Sequence, residues 1–318
     1  MRIVPASATI LDELDRKSMA ERIEICGRLC YKSEDKISPA SNEPFIRQVI
    51  SHGHNSVMEM AALSLRVRCE TEAIIDQFLE TLPRYLQIDR PDKREKVLLI
   101  SGTVRAFREL YQNWPSVKLV KGITSFLVPR YPLFFFDLGG KRGFLSQTGV
   151  EVIKLNLAEV DSLSADLLAK HRHLAVRFIT NRAVTHELVR HRPCSFLQES
   201  QRYCRYSQDK FGNEVSFIKP LFFAEGSAEY QLWQQTMLES ERVYLKLLET
   251  SSPQAARTVL PNSCKTEIIV HANLLEWLHI FRLRTTKAAE PSMREVMNPL
   301  LQEMQRRFPG IFDGVMGE

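Results

Sequence analysis

Residues 182–203 read RAVTHELVRHRPCSFLQESQRY and join a helix-forming half to a polar half. In the first half, Glu187, Arg190 and His191 stand at positions i, i+3 and i+4, so a helix would carry them on one face. Pro193 disfavours helical geometry at the residue before it, and we therefore expect the helix to end there. The polar second half predicts a loop that wraps around a ligand.

Arginine is concentrated in this stretch and just beyond it. Four arginines fall within sixteen residues, namely Arg190, Arg192, Arg202 and Arg205. The planar guanidinium group recognises phosphate and carboxylate through paired hydrogen bonds. The residue types alone therefore predict an anion site, with phosphate as the favoured ligand. The alternative is a solvated or salt-bridged protein surface.

Composition and charge limit the class of protein. The chain has 318 residues, of which 44% are hydrophobic and 25% are charged, as in ordinary globular proteins. These values exclude a disordered tail, a collagen-like repeat and a disulfide scaffold, and the length allows one large domain or two medium ones. The net charge of +5 suits anionic partners, but it does not distinguish a nucleotide from a nucleic acid.

We expect a cytoplasmic protein without a membrane segment or a metal ion. Residues 1–10 lack the basic stretch and apolar core of a signal peptide, and the apolar run at 133–136 is too short to span a bilayer. The pairs His52-x-His54 and His171-x-His173 have no third metal ligand at a useful spacing.

Hydrophobic periodicity predicts a mixed α+β fold. Alternating apolar residues predict strands at 63–68 and 176–179, and residues 117–160 are expected to be irregular with a few strands. Helical spacing predicts helices over 11–31, 43–51, 71–82, 95–111, 161–173, 182–191, 229–249, 266–284 and 291–308. Because the strands are few and do not alternate with helices, a parallel βαβ fold is not expected.

Four ordered blocks of this sequence resemble the flavin-dependent thymidylate synthases. The RHR triplet at 190–192, the serine that follows it after seven intervening residues and the subsequent Arg-Tyr pair match the spacing of that family's signature. Residues 53–59 resemble its Gly-His-x-Ser/Thr-x-x-Glu segment, and residues 204–214 and 256–295 resemble later parts of it. The resemblance covers about residues 20–68 and 172–318 and implies a long member of the family.

The resemblance implies a fold and an assembly. It predicts a small, mainly antiparallel sheet packed with several long helices, and an active site built at the subunit interfaces of a homotetramer. Residues 1–68 and 172–318 would form the catalytic domain. Residues 69–171, which shorter members lack, would be an inserted segment, helical at first and then irregular or strand-like. A role of this segment in capping the site or in assembly is a hypothesis.

The resemblance also implies a reaction. It predicts FAD-dependent reductive methylation of dUMP to dTMP, with 5,10-methylenetetrahydrofolate as carbon donor and NADPH as reductant, and no nucleic-acid partner. Arg284 would favour the N3-ionised uracil, and it cannot be a general base because arginine keeps its proton in proteins. One alternative is a flavin-dependent hydroxymethylase of pyrimidine nucleotides on the same fold. A second is a non-enzymatic nucleic-acid-binding protein, whose binding would depend steeply on salt.

Site residues are carried over where this sequence matches the family motifs. The predicted catalytic residues are Arg284, Ser200 and His54, and Ser200 is expected to orient the substrate rather than attack it, because no His/Asp partner is identifiable. The predicted dUMP-binding residues are Glu187, Arg190, Gln198, Glu199, Ser200, Gln201, Arg202, Arg257 and Arg284. The predicted FAD-binding residues are Ser56, Arg190, His191, Arg192, Pro193, Gln198 and Asn273.

Four positions depart from the family pattern, namely Met60, Leu197, Leu275 and Glu290. Two of these changes remove a polar or positive group, and Glu290 adds a negative charge. The departures concern the substrate and folate contacts, and they motivate the hydroxymethylase alternative. They leave the phosphate-binding arginines intact.

Overall fold

The computed structural model describes residues 1–138, 149–207, 211–315 and 317. Its strands are β1 (Arg2–Val4), β2 (Ser7–Ile10), β3 (Ala62–Cys69), β4 (Leu86–Asp89), β5 (Val97–Thr103), β6 (Val150–Leu155), β7 (His173–Asn181), β8 (Ser195–Gln198), β9 (Ser216–Ile218) and β10 (Lys265–Asn273). Its helices are α1 (Met19–Tyr31), α2 (Asn42–Ser51), α3 (Glu72–Leu79), α4 (Val104–Asn113), α5 (Lys118–Arg130), α6 (Leu157–Asp161), α7 (Ala165–His171), α8 (Arg182–Leu188), α9 (Ala228–Leu247), α10 (Pro253–Ala256), α11 (Leu274–Arg284) and α12 (Pro291–Arg307).

The first sheet is antiparallel and has the strand order β2-β7-β10-β8. Ile268 of β10 lies opposite Phe178 of β7, and both side chains point to the same face of the sheet. On that face they join Trp277 of α11 and Met297 of α12 in one buried core. Full burial of each such side chain contributes about 1.5–3 kcal/mol, so this core holds the two C-terminal helices against the sheet.

The opposite face of the same sheet is also covered. Ile269 and Leu197 belong to a second buried core with Ile23 of α1, Ile46 of α2 and Met58. The helix α2 ends where Gly53 adopts a φ of +70°, as predicted from the His-Gly-His sequence. The sheet is therefore covered on both faces, and Arg177 in the middle of β7 is paired with Glu267 of β10.

The second four-stranded sheet has the order β4-β5-β3-β6 and is antiparallel as well. Its central strand β3 precedes residue 70, whereas β4, β5 and β6 come from the predicted inserted segment. Leu65 of β3 pairs with Ile100 of β5, and both lie in the core that extends to α3, α4 and α5. Three of the four strands of this sheet therefore come from residues 69–171, and the fourth is β3.

Three element predictions are wrong. Residues 266–284 were expected to form one helix, but the first part is strand β10. Residues 95–111 form strand β5 followed by α4, and residues 118–130 of the expected irregular stretch form α5. In β5 and β10 both faces are buried, so the apolar residues run on without the alternation that marks a half-exposed strand. Residues 139–148 of that irregular stretch lie outside the described part of the chain.

The polar half of residues 182–203, called the RHR stretch below, also differs from the expected loop. Residues 195–198 form strand β8, and the loop begins only at Glu199. The prediction of an α+β fold with antiparallel sheets is confirmed. Among the described residues, no helix has both the length and the apolar composition needed to cross a bilayer.

Candidate functional site

The end of α11 and the end of α8 meet at a cluster of three side chains. Arg284 Nη1 donates a hydrogen bond to Glu187 Oε2 at 2.5 Å, and its Nη2 donates to the Glu187 carbonyl oxygen at 3.3 Å. Arg284 Nε donates to His191 Nε2 at 3.1 Å. These bonds fix the orientation of the guanidinium group before any ligand binds.

His191 is neutral in this cluster. Burial is the main cause that lowers its pKa to about 4, and the positive charge of Arg284 and the nearby His279 contribute to the same shift. Because Nε2 accepts the hydrogen bond from Arg284, the proton of the neutral ring lies on Nδ1. The cluster therefore carries one fixed positive charge, on Arg284, partly balanced by Glu187.

Arg190 and Arg192 flank His191 and are exposed. Neither side chain forms a salt bridge or a hydrogen bond with any residue that the structure describes. Both guanidinium groups therefore remain available to an anionic ligand. Together with Arg284 they concentrate positive charge where α8 leads into β8.

A second group of predicted site residues lies beyond the other end of β8. The Tyr31 hydroxyl is 3.3 Å from His54 Nδ1, and the Tyr31 ring packs against Tyr203 with centroids 5.4 Å apart. The guanidinium carbon of Arg202 lies 5.5 Å from the Tyr203 ring centroid, and Ser200 Oγ accepts a hydrogen bond from the Arg202 backbone. A four-residue strand spans about 13 Å, so this group is separated from Arg192.

Three predicted dUMP-binding residues face the protein interior. Gln198 donates to the hydroxyls of two threonines, Thr185 and Thr266. The buried Glu199 accepts from the Tyr206 hydroxyl and from Lys265 Nζ. Gln201 is also buried and lies 3.5 Å from the sulfur of Cys264. Their side chains are therefore engaged inside one chain, and their part in ligand binding stays a prediction.

The two remaining predicted contacts stand apart from the Arg284 cluster. Arg257 begins a short 3-10 turn, Arg257–Val259, and its side chain forms no ion pair within the described parts of the chain. Ser56 is exposed in the 3-10 turn Asn55–Met60. The single chain therefore brings together only part of the predicted site.

A cavity of about 590 Å³ opens beside Arg192 and Pro193, between the two four-stranded sheets. This volume lies in the range of ordinary small-molecule sites. Its other lining residues are Glu59, Tyr85, Leu86, Gln87, Ser101, Thr103, Arg105, Ala106, Glu109, His173, Cys194, Ser195, His271, Ala272, Asn273, Leu275 and Glu276. Three of the predicted FAD-binding residues are thus on its wall.

The donor and acceptor groups of this cavity fit a dinucleotide. The guanidinium group of Arg192 can bind a phosphate. Glu276 Oε1 is buried without a hydrogen-bond partner among the described residues, and burial raises the pKa of this carboxyl. Such an acceptor suits the hydroxyl and amino groups of a nucleotide. Asn273 is less available, because its side chain caps α11 and donates to the Lys170 carbonyl oxygen.

Sequence reasoning missed the residues that the predicted inserted segment brings to this cavity. Arg105 Nη1 donates to Glu59 Oε1 at 2.6 Å, and Arg105 Nε donates to Glu109 Oε1 at 2.8 Å. Glu59 closes the 53–59 block that carries the family resemblance. The only signal in the sequence was the position of Glu59 in that block, which gives no hint of its partner 46 residues later.

One cluster of metal-ligand type occurs at the edge of this region. Ligand atoms of His191, Glu276 and His279 lie within 4.8 Å of one another. The guanidinium group of Arg284, hydrogen-bonded to His191, would repel a cation there. The expectation that the chain binds no metal stays a prediction.

Three of the four departures from the family pattern have structural roles. Leu197 and Met60 are buried in the core under the first sheet. The Glu290 carboxylate accepts a hydrogen bond from the Met293 backbone and caps α12. Only Leu275 faces the cavity.

Comparison with known proteins identifies the family of the chain. The sequence profile of the family described as "Thymidylate synthase complementing protein" matches residues 12–79 and 166–310. The chain is 37% identical over 128 residues to a flavin-dependent thymidylate synthase of Pyrococcus furiosus, a match that covers 40% of this chain and 52% of the relative. It is 34% identical over 133 residues to one of Geobacter sulfurreducens, covering 42% and 56%.

Each of these relatives matches only part of the chain. A flavin-dependent thymidylate synthase of Corynebacterium aurimucosum is 32% identical over 149 residues, covering 42% of this chain and 57% of the relative. The chain spans about half the length of the curated relatives it matches. The family profile leaves residues 80–165 unmatched but covers more than half of the chain. The chain therefore belongs to the thymidylate synthase complementing protein family, as its resemblance to flavin-dependent thymidylate synthases predicted.

Proposed function

We propose that the protein is a flavin-dependent thymidylate synthase, which converts dUMP to dTMP with 5,10-methylenetetrahydrofolate as carbon donor and NADPH as reductant. The observation that carries this proposal is the contact of Arg284 with Glu187 and His191. These residues lie more than 90 positions apart in sequence and come from two of the blocks that resemble the family.

Arg284 is suited to stabilise negative charge on a pyrimidine. A guanidinium group held by Glu187 and His191 loses little freedom when a ligand binds, so its hydrogen bonds are directed in advance. Placed beside the uracil ring, its fixed charge would favour ionisation at N3 and stabilise charge that develops on O4 during the reaction. Arg190, next to it, would hold the nucleotide phosphate.

The cavity beside Arg192 is the proposed site of FAD, which supplies hydride transfer from NADPH when bound. Arg192 would bind a phosphate of the dinucleotide, and the unpartnered Glu276 oxygen would accept from one of its hydroxyl or amino groups. The folate and dUMP are the proposed small-molecule partners.

The separation of the site residues supports an assembly. His54, Ser200 and Arg202 lie beyond one end of β8, whereas Arg190 and Arg192 lie at the other. A second copy of the chain could place its own residues beside each group and close the site. We therefore propose that the active site forms at subunit interfaces of a homotetramer. A monomer that retains full turnover would contradict this part of the proposal.

The proposal is tested by incubating the purified protein with FAD, NADPH, methylenetetrahydrofolate and dUMP and determining the product by mass spectrometry. We expect a yellow protein and a product with the mass of dTMP. A product heavier by one oxygen would identify a hydroxymethylase instead. A protein that takes up no FAD but binds DNA or RNA with steep salt dependence would contradict the proposal outright.

A further inference from the structure

The cavity beside Arg192 has two walls of different character. The wall from the family-matched region carries Arg192 and the unpartnered carboxyl oxygen of Glu276. The facing wall comes from the unmatched residues 80–165 and includes Tyr85, an exposed aromatic residue. One wall is thus suited to charge and hydrogen bonding, and the other can offer an aromatic surface.

Tyr85 is held in an unfavourable conformation and stays exposed. Its backbone has a φ of +64°, a left-handed geometry that is rare for a bulky residue, and 73% of its surface is accessible. Such geometry costs free energy and is found most often at ligand sites, where surrounding structure imposes it. A large aromatic side chain gains nothing from this position within the described fold.

The backbone beside Tyr85 is fixed by close packing. Leu86, the next residue, pairs with Gly102 across β4 and β5. A Cβ atom at Gly102 would lie 2.5 Å from Leu86 Cδ2 and 3.2 Å from the Tyr85 carbonyl oxygen. A larger residue at position 102 would require the Leu86 side chain to move and the Tyr85 backbone to shift slightly. Tyr85 is therefore presented from a defined position rather than from a free loop.

The two charged residues of the same wall, Arg105 and Glu109, are paired with each other. Arg105 forms ion pairs with Glu59 and Glu109, so its charge is not available to a phosphate. The pair with Glu59 also ties the segment to the 53–59 block. The polar side chains of Gln87, Ser101 and Thr103 on this wall form hydrogen bonds within the protein. The exposed Tyr85 is therefore the feature of this wall that we consider for a ligand.

We propose that Tyr85 stacks against a planar ring of FAD, so that the segment left unmatched by the family profile, residues 80–165, forms one wall of the flavin pocket. This inference rests on the proposed function, because it takes FAD as the occupant of the cavity. It assigns to residues 80–165 a part in cofactor binding.

The inference is tested by measuring the dissociation constant of FAD by equilibrium dialysis for the wild-type chain and for Y85A, Y85F and L82A. Stacking of one ring on an aromatic side chain predicts that Y85A binds FAD about 10-fold more weakly. Y85F keeps the ring and should bind like the wild type. Leu82 shares the loop and the left-handed backbone, with φ of +45°, but does not line this cavity, so L82A should also bind like the wild type.

The outcomes separate the inference from the proposed function. If the wild type binds FAD and Y85A binds it within twofold, the stacking role is wrong while the proposed function stands. If L82A weakens binding as much as Y85A, the effect belongs to the loop and not to the ring, which also overturns the inference. If the wild type binds no FAD at all, the proposed function fails with it. Unfolding curves for the variants confirm that each remains folded.

Discussion

The arginines of residues 80–165 and those of residues 182–203 differ in whether they have an acidic partner. In the unmatched residues 80–165, Arg105 is paired with Glu59 and Glu109, and the buried Arg108 is paired with Asp137. In the RHR stretch, Arg190 and Arg192 have no acidic partner in the described part of the chain. An exposed guanidinium group is well hydrated, so leaving it unpaired is not costly in itself. The contrast teaches that the same residue type holds the structure together in one region and is left free for ligands in the other.

The largest effect on activity should come from replacing Arg284, because its guanidinium group carries the fixed positive charge of the proposed dUMP site. Arg284→Ala removes the donors held by Glu187 and His191, and we expect dTMP formation to fall by about 10²–10³-fold, as when a preorganised donor is removed from other active sites. The measurement is steady-state product formation at saturating substrates. Arg282→Ala, which removes an exposed arginine two residues earlier on the same helix, is the matched control and should retain activity.

Loss of a paired arginine should affect stability instead. Arg108 Nη2 donates to Asp137 Oδ2 at 2.7 Å, and Nη1 donates to the Phe134 carbonyl oxygen and to Asp137. Arg108→Ala leaves these acceptors without a donor, and we expect the free energy of unfolding to fall by about 3 kcal/mol. Urea denaturation measures it. An unchanged midpoint would show that this ion pair does not support the fold.

Loss of an unpaired arginine should weaken FAD binding and leave the stability of the fold unchanged. Arg192→Ala removes a proposed charge-assisted bond to phosphate at an exposed position, and we expect FAD to bind about 10-fold more weakly. The unfolding curve should stay within experimental error of the wild type, because no internal partner is lost. If Arg192→Ala destabilised the chain without changing FAD affinity, the two regions would not differ as described.

The smallest effect concerns the pKa of His191. In the wild type this pKa lies at about 4, below its ordinary value of 6.5, because of burial and then of Arg284. The folded chain therefore resists a proton that the unfolded chain accepts, so this residue makes stability fall as the pH drops from about 6.5 to 4. Arg284→Met should raise the pKa, although burial keeps it below 6.5. NMR titration of the ring measures this, with Arg282→Met as control.

Much of the helical structure could be predicted from local sequence. Pro291 begins α12 as expected, and the predicted strands at 63–68 and 176–179 lie within β3 and β7. The prediction of a helix at β10 is wrong because this strand is buried on both faces, so residues 265–273 lack the alternation of polar and apolar side chains that marks a half-exposed strand. The local hydrophobic pattern of a sequence indicates which residues are buried, but it does not indicate which helices or strands pack against them.

For the candidate site, too, the residue types could be predicted from the sequence, whereas the contacts between distant residues could not. The arginines and His191 could be predicted as site residues, because residue type and family resemblance can be read directly from the sequence. The contact of Arg284 with Glu187 and the pairing of Arg105 with Glu59 join distant segments, so no local pattern encodes them. Nor could the sequence indicate that Glu199 turns inward to Tyr206 and Lys265.

The most direct test of the unpaired guanidinium groups is a crystal structure of the protein grown with FAD and dUMP. We expect phosphate oxygens of these ligands within hydrogen-bond distance of Arg190 and Arg192, with Arg284 beside the uracil ring. Both ligands bound elsewhere, with these arginines surrounded by water, would contradict the account.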